Sequence, residues 1–286
     1  MGLIGGSFAL ALKSAGVAAT VVGVGRSVAN LDTARRLGIA DRTWTHDQRW
    51  TDELADADLV LLATPVGQLP PLFAMIAPAL GSSTVVSDAG SVKQDVITAA
   101  RKYLGAALPR FVPAHPIAGS EHSGASAASA TLFRDRPVIL TPIHETAVDA
   151  RERVAGAWTA CGAVVSALAA ARHDEIFAAV SHLPHALAFA LLAQLAQRSD
   201  AADYFRHAAT GFRDFTRLAS SDPEMWRDVC LGNAAALRRE LSAYRSELDR
   251  LDALLAAADG AGLAALFERA RDARNAWLAD HRDDRD

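Results

Sequence analysis

The hydrophobic period of this 286-residue chain changes once, and that change constrains the fold more than any other feature. From residue 16 to about 142, short β-branched runs alternate with helical stretches. Thr20–Val24 reads as a strand and Val28–Leu37 as a helix. Asp58–Ala63 reads as a buried strand ending at Thr64-Pro65, and Val66–Leu80 as largely helical. Thr84–Ser87 is a further strand, followed by a helix over Val92–Leu104; Phe111–Ala114 and Pro137–Leu140 add two more strands. Continuous apolar strands alternating with helices imply an α/β architecture with a mainly parallel sheet covered on both faces. After about residue 145 the strand signal nearly vanishes, with Ala163-Val164-Val165 as its last candidate. Ala/Leu-rich helical patterns follow at Arg172–Arg198, Asp222–Ala258 and Leu263–His281. Two domains are expected, residues 1–144 and an all-α domain over residues 145–286. Asp222-Pro223 supplies an N-cap and a helix-opening proline. The helix behind it carries Leu231, Ala235, Leu241, Leu248, Leu251 and Leu255, a stripe that needs a partner; a second copy of the chain is expected.

The opening Met1-Gly2-Leu3-Ile4-Gly5-Gly6 admits three readings: a secretory signal, an amphipathic helix, or part of a dinucleotide-binding loop. A signal needs a basic region before its apolar core, but the first basic residue, Lys13, follows the run. Followed by a helix and then a strand, Gly2 and Gly5 match the second and third glycines of G-x-G-x-x-G. Gly2 would let the backbone approach a pyrophosphate, Gly5 would let the helix pack close to a strand, and the backbone of Leu3 and Ile4 would face the phosphates at the helix N-terminus. The expected domain is a Rossmann-like doubly wound sheet lacking its first strand and first glycine, with a gap between the neighbours of that strand. The natural protein is accordingly expected to begin upstream, with Met1 standing where similar fingerprints often carry valine. A ribose-binding acid is expected at the end of the second strand. This chain instead reads Gly23-Val24-Gly25-Arg26-Ser27. A carboxylate there would repel a 2′-phosphate, whereas Arg26 and Ser27 can bind one, so NADP is favoured over NAD. Thr64 and Pro65 complete the expected cofactor set.

A formal net charge of −4 offers no basic footprint for nucleic acid, and no Lys/Arg-rich amphipathic stretch suggests a membrane surface. The apolar stretch Leu183–Ala196 holds Pro184, His185 and Gln194 and falls short of the ~20 residues a span requires. Cys161 and Cys230 form no C-x-x-C motif and suit a reducing compartment, so a cytoplasmic protein is expected.

Three further stretches carry the chemistry: Asp88-Ala89-Gly90-Ser91-Val92-Lys93, His115-Pro116-Ile117-Ala118-Gly119-Ser120-Glu121 and Ser181-His182-Leu183-Pro184-His185. Gly211–Arg217 and Ser221–Trp226 join them. In this order and spacing they resemble the prephenate/arogenate dehydrogenase family of tyrosine biosynthesis, over nearly the whole chain from Gly2 to about residue 250. The resemblance implies NAD(P)-dependent oxidative decarboxylation of prephenate to 4-hydroxyphenylpyruvate, with arogenate or broad cyclohexadienyl specificity as the alternative. It implies His115 as the base, and Ser91 as a hydrogen-bonding partner of both His115 and the substrate hydroxyl. It implies His185 as a partner for the substrate side chain, and Ser181, His182 and Glu121 as pocket residues, with Glu121 as a gate. Independently, an imidazole after a strand end titrates near working pH, and Arg217 can clamp a carboxylate bidentately. A metal at His182 and His185 is disfavoured, because Pro184 intervenes and no Cys or paired acid accompanies them. Two other readings stand beside this one. The first is a non-catalytic dimeric binding protein with an incomplete nucleotide sheet. The second is a β-hydroxy acid dehydrogenase, which would place a catalytic lysine in its helical domain; this chain has no lysine after Lys102.

Overall fold

The computed structural model describes residues 1–119 and 122–280. These fall into two compact units, Met1–Leu237 and Arg238–Asp286. The first unit opens with α1 (Leu3–Ser14). β1 (Val22–Gly25) and β2 (Arg42–Thr45) then pair in parallel across α2 (Val28–Arg36), whose N-terminus is capped by Ser27 Oγ accepting from Asn30 N–H. β2 is absent from the sequence reading because Arg-Thr-Trp-Thr carries one large apolar residue and an exposed arginine.

A second parallel ladder joins β3 (Leu59–Leu62), β4 (Val85–Asp88) and β5 (Phe111–Val112), with α3 (Leu69–Ile76) and α4 (Gln94–Tyr103) as its crossovers. Pro113 has no N–H to extend this ladder, and the chain changes partners there. β6 (Ala114–Pro116) pairs antiparallel with β7 (Pro137–Leu140), while Pro113 O accepts from Thr141 N–H at 2.9 Å. Beyond β7, α5 (Val148–Ala160) returns the chain to β8 (Val164–Ala167), parallel to β7. Sheet-forming residues thus continue to Ala167, past the change of period at 142–150. α5 was hidden by its polar composition, although Ala150, Val154, Ala157 and Trp158 form its buried stripe.

Both faces of this sheet are covered. Val86 and Phe111 point into one cluster with Phe73, Val96 and Trp226; their neighbours Val85 and Val112 point into another with Phe8, Val154 and Trp158. The sheet is interrupted between β1 and β3, which share no hydrogen bonds, where the sequence reading expected a gap. Met1 lies beside that interruption. Its ammonium donates to Val24 O, its carbonyl accepts from Asn30 Nδ2, and its side chain lies near Gly5 and Gly23. Leu59, Val60 and Leu61 of β3 remain only partly buried.

The helical part begins with α6 (Ala170–Phe177), a π-helical turn (Ala178–His182) and α7 (Leu183–Ala196), which run on continuously. Ala170–Ala196 spans 27 residues and contains an 18-residue window of mean hydropathy 1.8, long and apolar enough to cross a membrane by length and composition. It also carries the buried polar residues His173, Asp174 and His182. α8 (Ala201–Arg206), α9 (Thr210–Thr216) and α10 (Pro223–Gly232) follow, and Asp222 caps α10 by accepting from Met225 N–H at 2.8 Å. The single helix expected over Asp222–Ala258 is two. It breaks at Asn233, whose side chain turns into the core, and α11 (Ala234–Ala256) starts afresh. In the second unit the turn after α11 holds Ala258 at φ +48° and leads into α12 (Gly260–Asp280).

The glycines of α1 divide the labour differently from the sequence reading. A Cβ on Gly5 would meet Ala63 Cβ at an ordinary 3.4 Å, whereas one on Gly6 would come within 2.9 Å of Ala128 Cβ. A Cβ on Gly2 would meet nothing within 4 Å. Gly6→Ala is expected to lower the thermal midpoint by roughly 2–8 °C through overpacking, and Gly2→Ala by less than about 2 °C. Equal midpoints in the two variants, measured by calorimetry, would contradict this packing.

Candidate active site

His115 sits at the centre of β6, just past the carboxyl ends of β4 and β5. Its position is set through its neighbour Ala114. Asp88 at the end of β4 accepts from Ala114 N–H at 3.3 Å and from Gly90 N–H at 2.8 Å. Lys93 Nζ donates to Asp88 and, at 2.7 Å, to Ala114 O. Both main-chain groups of Ala114 are therefore held by one buried ion pair, with Asp88 and Lys93 each fully buried. Gly90 fits this turn because an added Cβ would fall within 2.9 Å of both Val66 and Asp88.

From the helical side, α6 brings His173 and Asp174 against the same strand. His173 Nε2 lies 2.8 Å from His115 Nδ1, and His173 Nδ1 lies 2.8 Å from Asp174 Oδ1. Asp174 also accepts from Lys93 N–H and Gln94 N–H, each at 2.8 Å, and so caps α4. Phe177 packs against both imidazoles. Desolvation, then the charges of His173, Lys93 and His182, hold the His115 pKa well below its ordinary value. His173 is lowered chiefly by desolvation, against the opposing pull of Asp174. Desolvation would raise Asp174, but His173 and the two backbone donors outweigh it and keep the carboxyl low.

The π turn aims His182 and His185 from the next turns of the run. Insertions of this kind are frequent at functional sites. Buried His182 receives Asn233 Nδ2 on Nδ1 at 3.2 Å, and the same amide nitrogen donates to Asp174 O at 2.7 Å. His182 Nε2 faces the Ser91 backbone without reaching hydrogen-bond geometry, and desolvation lowers its pKa to about 4. His185 Nδ1 bonds Ser181 O at 2.9 Å, and its ring stacks on Trp226 at 3.6 Å. Desolvation lowers the His185 pKa, Ser181 O opposes this, and the positive charge of nearby Arg217 lowers it further. Arg217 itself opens the 3-10 turn Arg217–Ser220 and is exposed.

His115, His182, His185, Ser181 and Arg217 are thus gathered on β6, the π turn, α7 and the turn after α9. Ser91 lies in the Asp88–Lys93 turn, but among the described residues it makes no hydrogen bond to His115, whose Nδ1 is taken by His173. Ser120 and the expected gate Glu121 lie outside the described residues. Sequence reasoning did not single out His173, Asp174 or Asn233, and gave no role to Asp88 and Lys93 within their motif. A legible signal was the adjacent His-Asp pair on the helical face that also bears Phe177.

The expected cofactor residues stand at the start of α1 and after the strands β1 and β3. Gly2 precedes α1 without a side-chain cap; Gly6 N–H bonds Gly2 O, which leaves the first-turn N–H groups of Leu3, Ile4 and Gly5 for an anion in front of the helix. Arg26 is exposed at the end of β1, and Ser27 Oγ is committed to capping α2. Thr64, after β3, has a buried Oγ1 with no hydrogen-bond partner, and Pro65 turns the chain away. An orphan hydroxyl and free helix N-terminal donors fit a dinucleotide.

A doubly wound nucleotide domain followed by a helical domain carrying half the site defines a two-domain NAD(P)-dependent dehydrogenase. Family models agree on both halves: residues 8–167 match the prephenate dehydrogenase nucleotide-binding domain and residues 169–269 the prephenate dehydrogenase dimerization domain. The chain belongs to the prephenate dehydrogenase family, whose oxidoreductase activity in tyrosine biosynthesis it shares. It is 38% identical over 285 residues to a cyclohexadienyl dehydrogenase of Zymomonas mobilis, covering 98% of this chain and 95% of that protein. It is 32% identical to a prephenate dehydrogenase of Bacillus subtilis, covering 96% of this chain and 74% of that one. A prephenate dehydrogenase from Aquifex aeolicus, solved with hydroxyphenyl propionate and NAD+, superposes with TM-score 0.87 at 33% identity, covering 96% of this chain and 95% of that one.

The lowered histidine pKa values carry a stability consequence. When a folded-state pKa lies below the unfolded value, the unfolded chain binds the proton first, so stability is full above that unfolded value and falls as pH drops. For His182 the loss develops between about pH 6.5 and about 4 and reaches on the order of 3 kcal/mol; His115 and His173 add with the same sign. The denaturant midpoint is expected to fall steadily from pH 7 to pH 4.5. A flat midpoint across that window would show that these rings are not buried and neutral.

Proposed function

We propose that this chain oxidises prephenate to 4-hydroxyphenylpyruvate and CO2, with His115 as the base. The observation that carries the reading is an imidazole of lowered pKa pinned through Ala114 just beyond the strand ends, with a helical run that supplies His185, and the turn after α9 that supplies Arg217. His115 accepts the proton of the ring hydroxyl while the hydride leaves the same carbon. Bound NAD(P)+ supplies the hydride acceptor. The bond to the ring carboxylate then breaks, its electron pair completes the aromatic ring, CO2 departs, and the ring oxygen takes back the proton from His115. Arg217 clamps a substrate carboxylate and His185, held flat by Trp226, orients the side chain. Ser91 holds the ring hydroxyl, Ser181 and His182 shape the wall, and Glu121 gates it.

The cofactor preference follows from β1. With Arg26 rather than an acid after Gly25, NADP is the preferred cofactor, and parallel kcat/KM values for NADP and NAD check it. A broader specificity including arogenate is the second reading, favoured by the similarity to a cyclohexadienyl dehydrogenase. Val180 and Leu231 are apolar yet 67% and 70% exposed, and we assign the helical domain that carries them to a homodimer that sedimentation would reveal. We take the nucleotide-binding and helical domains as the working units of the site, and the cytoplasm, with its reduced thiols and nicotinamide pool, as its location.

His115→Asn is expected to abolish turnover while cofactor affinity stays within about twofold. Arg217→Ala is expected to raise KM for prephenate by one to two orders of magnitude with a smaller change in kcat. Full activity in the first variant, or an unchanged KM in the second, would remove that residue from its role.

A further inference from the structure

Three groups stand in line between α6 and β6: the buried Asp174 carboxylate, the buried His173 imidazole and the partly buried His115 imidazole. The donor and acceptor roles along this line follow from the groups at its end. Asp174 accepts from the N–H groups of Lys93 and Gln94 and faces His173 Nδ1, with all three contacts at 2.8 Å. An ionised carboxylate only accepts, so His173 Nδ1 must donate. A neutral imidazole has a single N–H, so His173 Nε2 carries a lone pair. That lone pair faces His115 Nδ1 at 2.8 Å, which must therefore be the protonated nitrogen of His115. The other tautomer would set two lone pairs against each other at hydrogen-bond distance.

We propose that His173, backed by Asp174, is a positioning residue that locks His115 in the Nδ1–H tautomer and leaves its Nε2 as the proton acceptor. This rests on the reading of His115 as the base. In the step itself the substrate O–H bond breaks, an N–H bond forms on His115 Nε2, and the hydride goes to NAD(P)+. The imidazolium so formed keeps its Nδ1–H bond to His173, whose orientation Asp174 holds. His173 is wholly buried and reaches the reaction only through His115.

The test combines a spectroscopic reading with two substitutions in the full-length chain. Nitrogen NMR of 15N-histidine-labelled enzyme, with His115 assigned by its loss in His115→Asn, is expected to show a protonated Nδ1 and an unprotonated Nε2. In His173→Leu the His115 tautomers should mix, and kcat should fall about tenfold to a thousandfold with KM for prephenate within about twofold. His173→Gln, whose carbonyl reaches the place of Nε2, should recover most of the loss. An Nε2–H tautomer in the unsubstituted enzyme would overturn the proposal. So would wild-type kcat in His173→Leu, or a His173→Gln variant as slow as His173→Leu at equal cofactor affinity. Turnover retained by His115→Asn would remove the base and the proposal together. A dead His115→Asn beside fully active His173 variants would remove the proposal alone.

Discussion

Lys93 is the residue on which the site depends. Its ammonium is buried against Asp88 and Ala114 O, and its backbone N–H is bonded to Asp174. One residue thereby ties the end of β4, the strand bearing His115 and the helix bearing His173. Desolvation lowers its pKa, and the Asp88 and Asp174 charges oppose this. Losing either member of a buried ion pair typically costs about 3–5 kcal/mol, because the survivor is left uncompensated. Here the same loss would also release both main-chain groups of Ala114. Fold stability and placement of His115 therefore rest on the same contacts.

The helical run completes what the sheet begins. Its π turn places His182 in the core and His185 on Trp226, while Asn233, at the break between α10 and α11, joins the His182 ring to the Asp174 carbonyl. Burial keeps the histidines neutral. Neutrality suits a base that must accept a proton at working pH. The start of α1 follows different physics: its first-turn N–H groups and the orphan Thr64 hydroxyl have no hydrogen-bond partner among the described residues.

Much of this was legible in the sequence. Apolar β-branched runs announced β3, β4 and β7, and the loss of that pattern announced the helical half. β2 and α5 escaped because their apolar residues are few or spread over a polar helix, so burial is decided by neighbours the local pattern does not contain. The break at Asn233 was invisible for the same reason: its side chain answers Asp174 and His182, far away in sequence. The motif at Asp88–Lys93 was visible, but its role was not, since a buried lysine and a surface lysine look alike until β6 closes over one of them. His173 and Asp174 fell without a role inside the helical pattern Arg172–Arg198, whereas they form its buried contact with the site.

The chain thus unites a nucleotide-binding sheet with a helical half and sets between them an imidazole whose pKa is held low. The most direct measurement of that account is the yield of reduced NAD(P) against 4-hydroxyphenylpyruvate from prephenate, using the purified protein. The account predicts prephenate-dependent reduction with the two products formed in equal amounts. A folded, cofactor-binding chain that reduces no NAD(P) when given prephenate would contradict it.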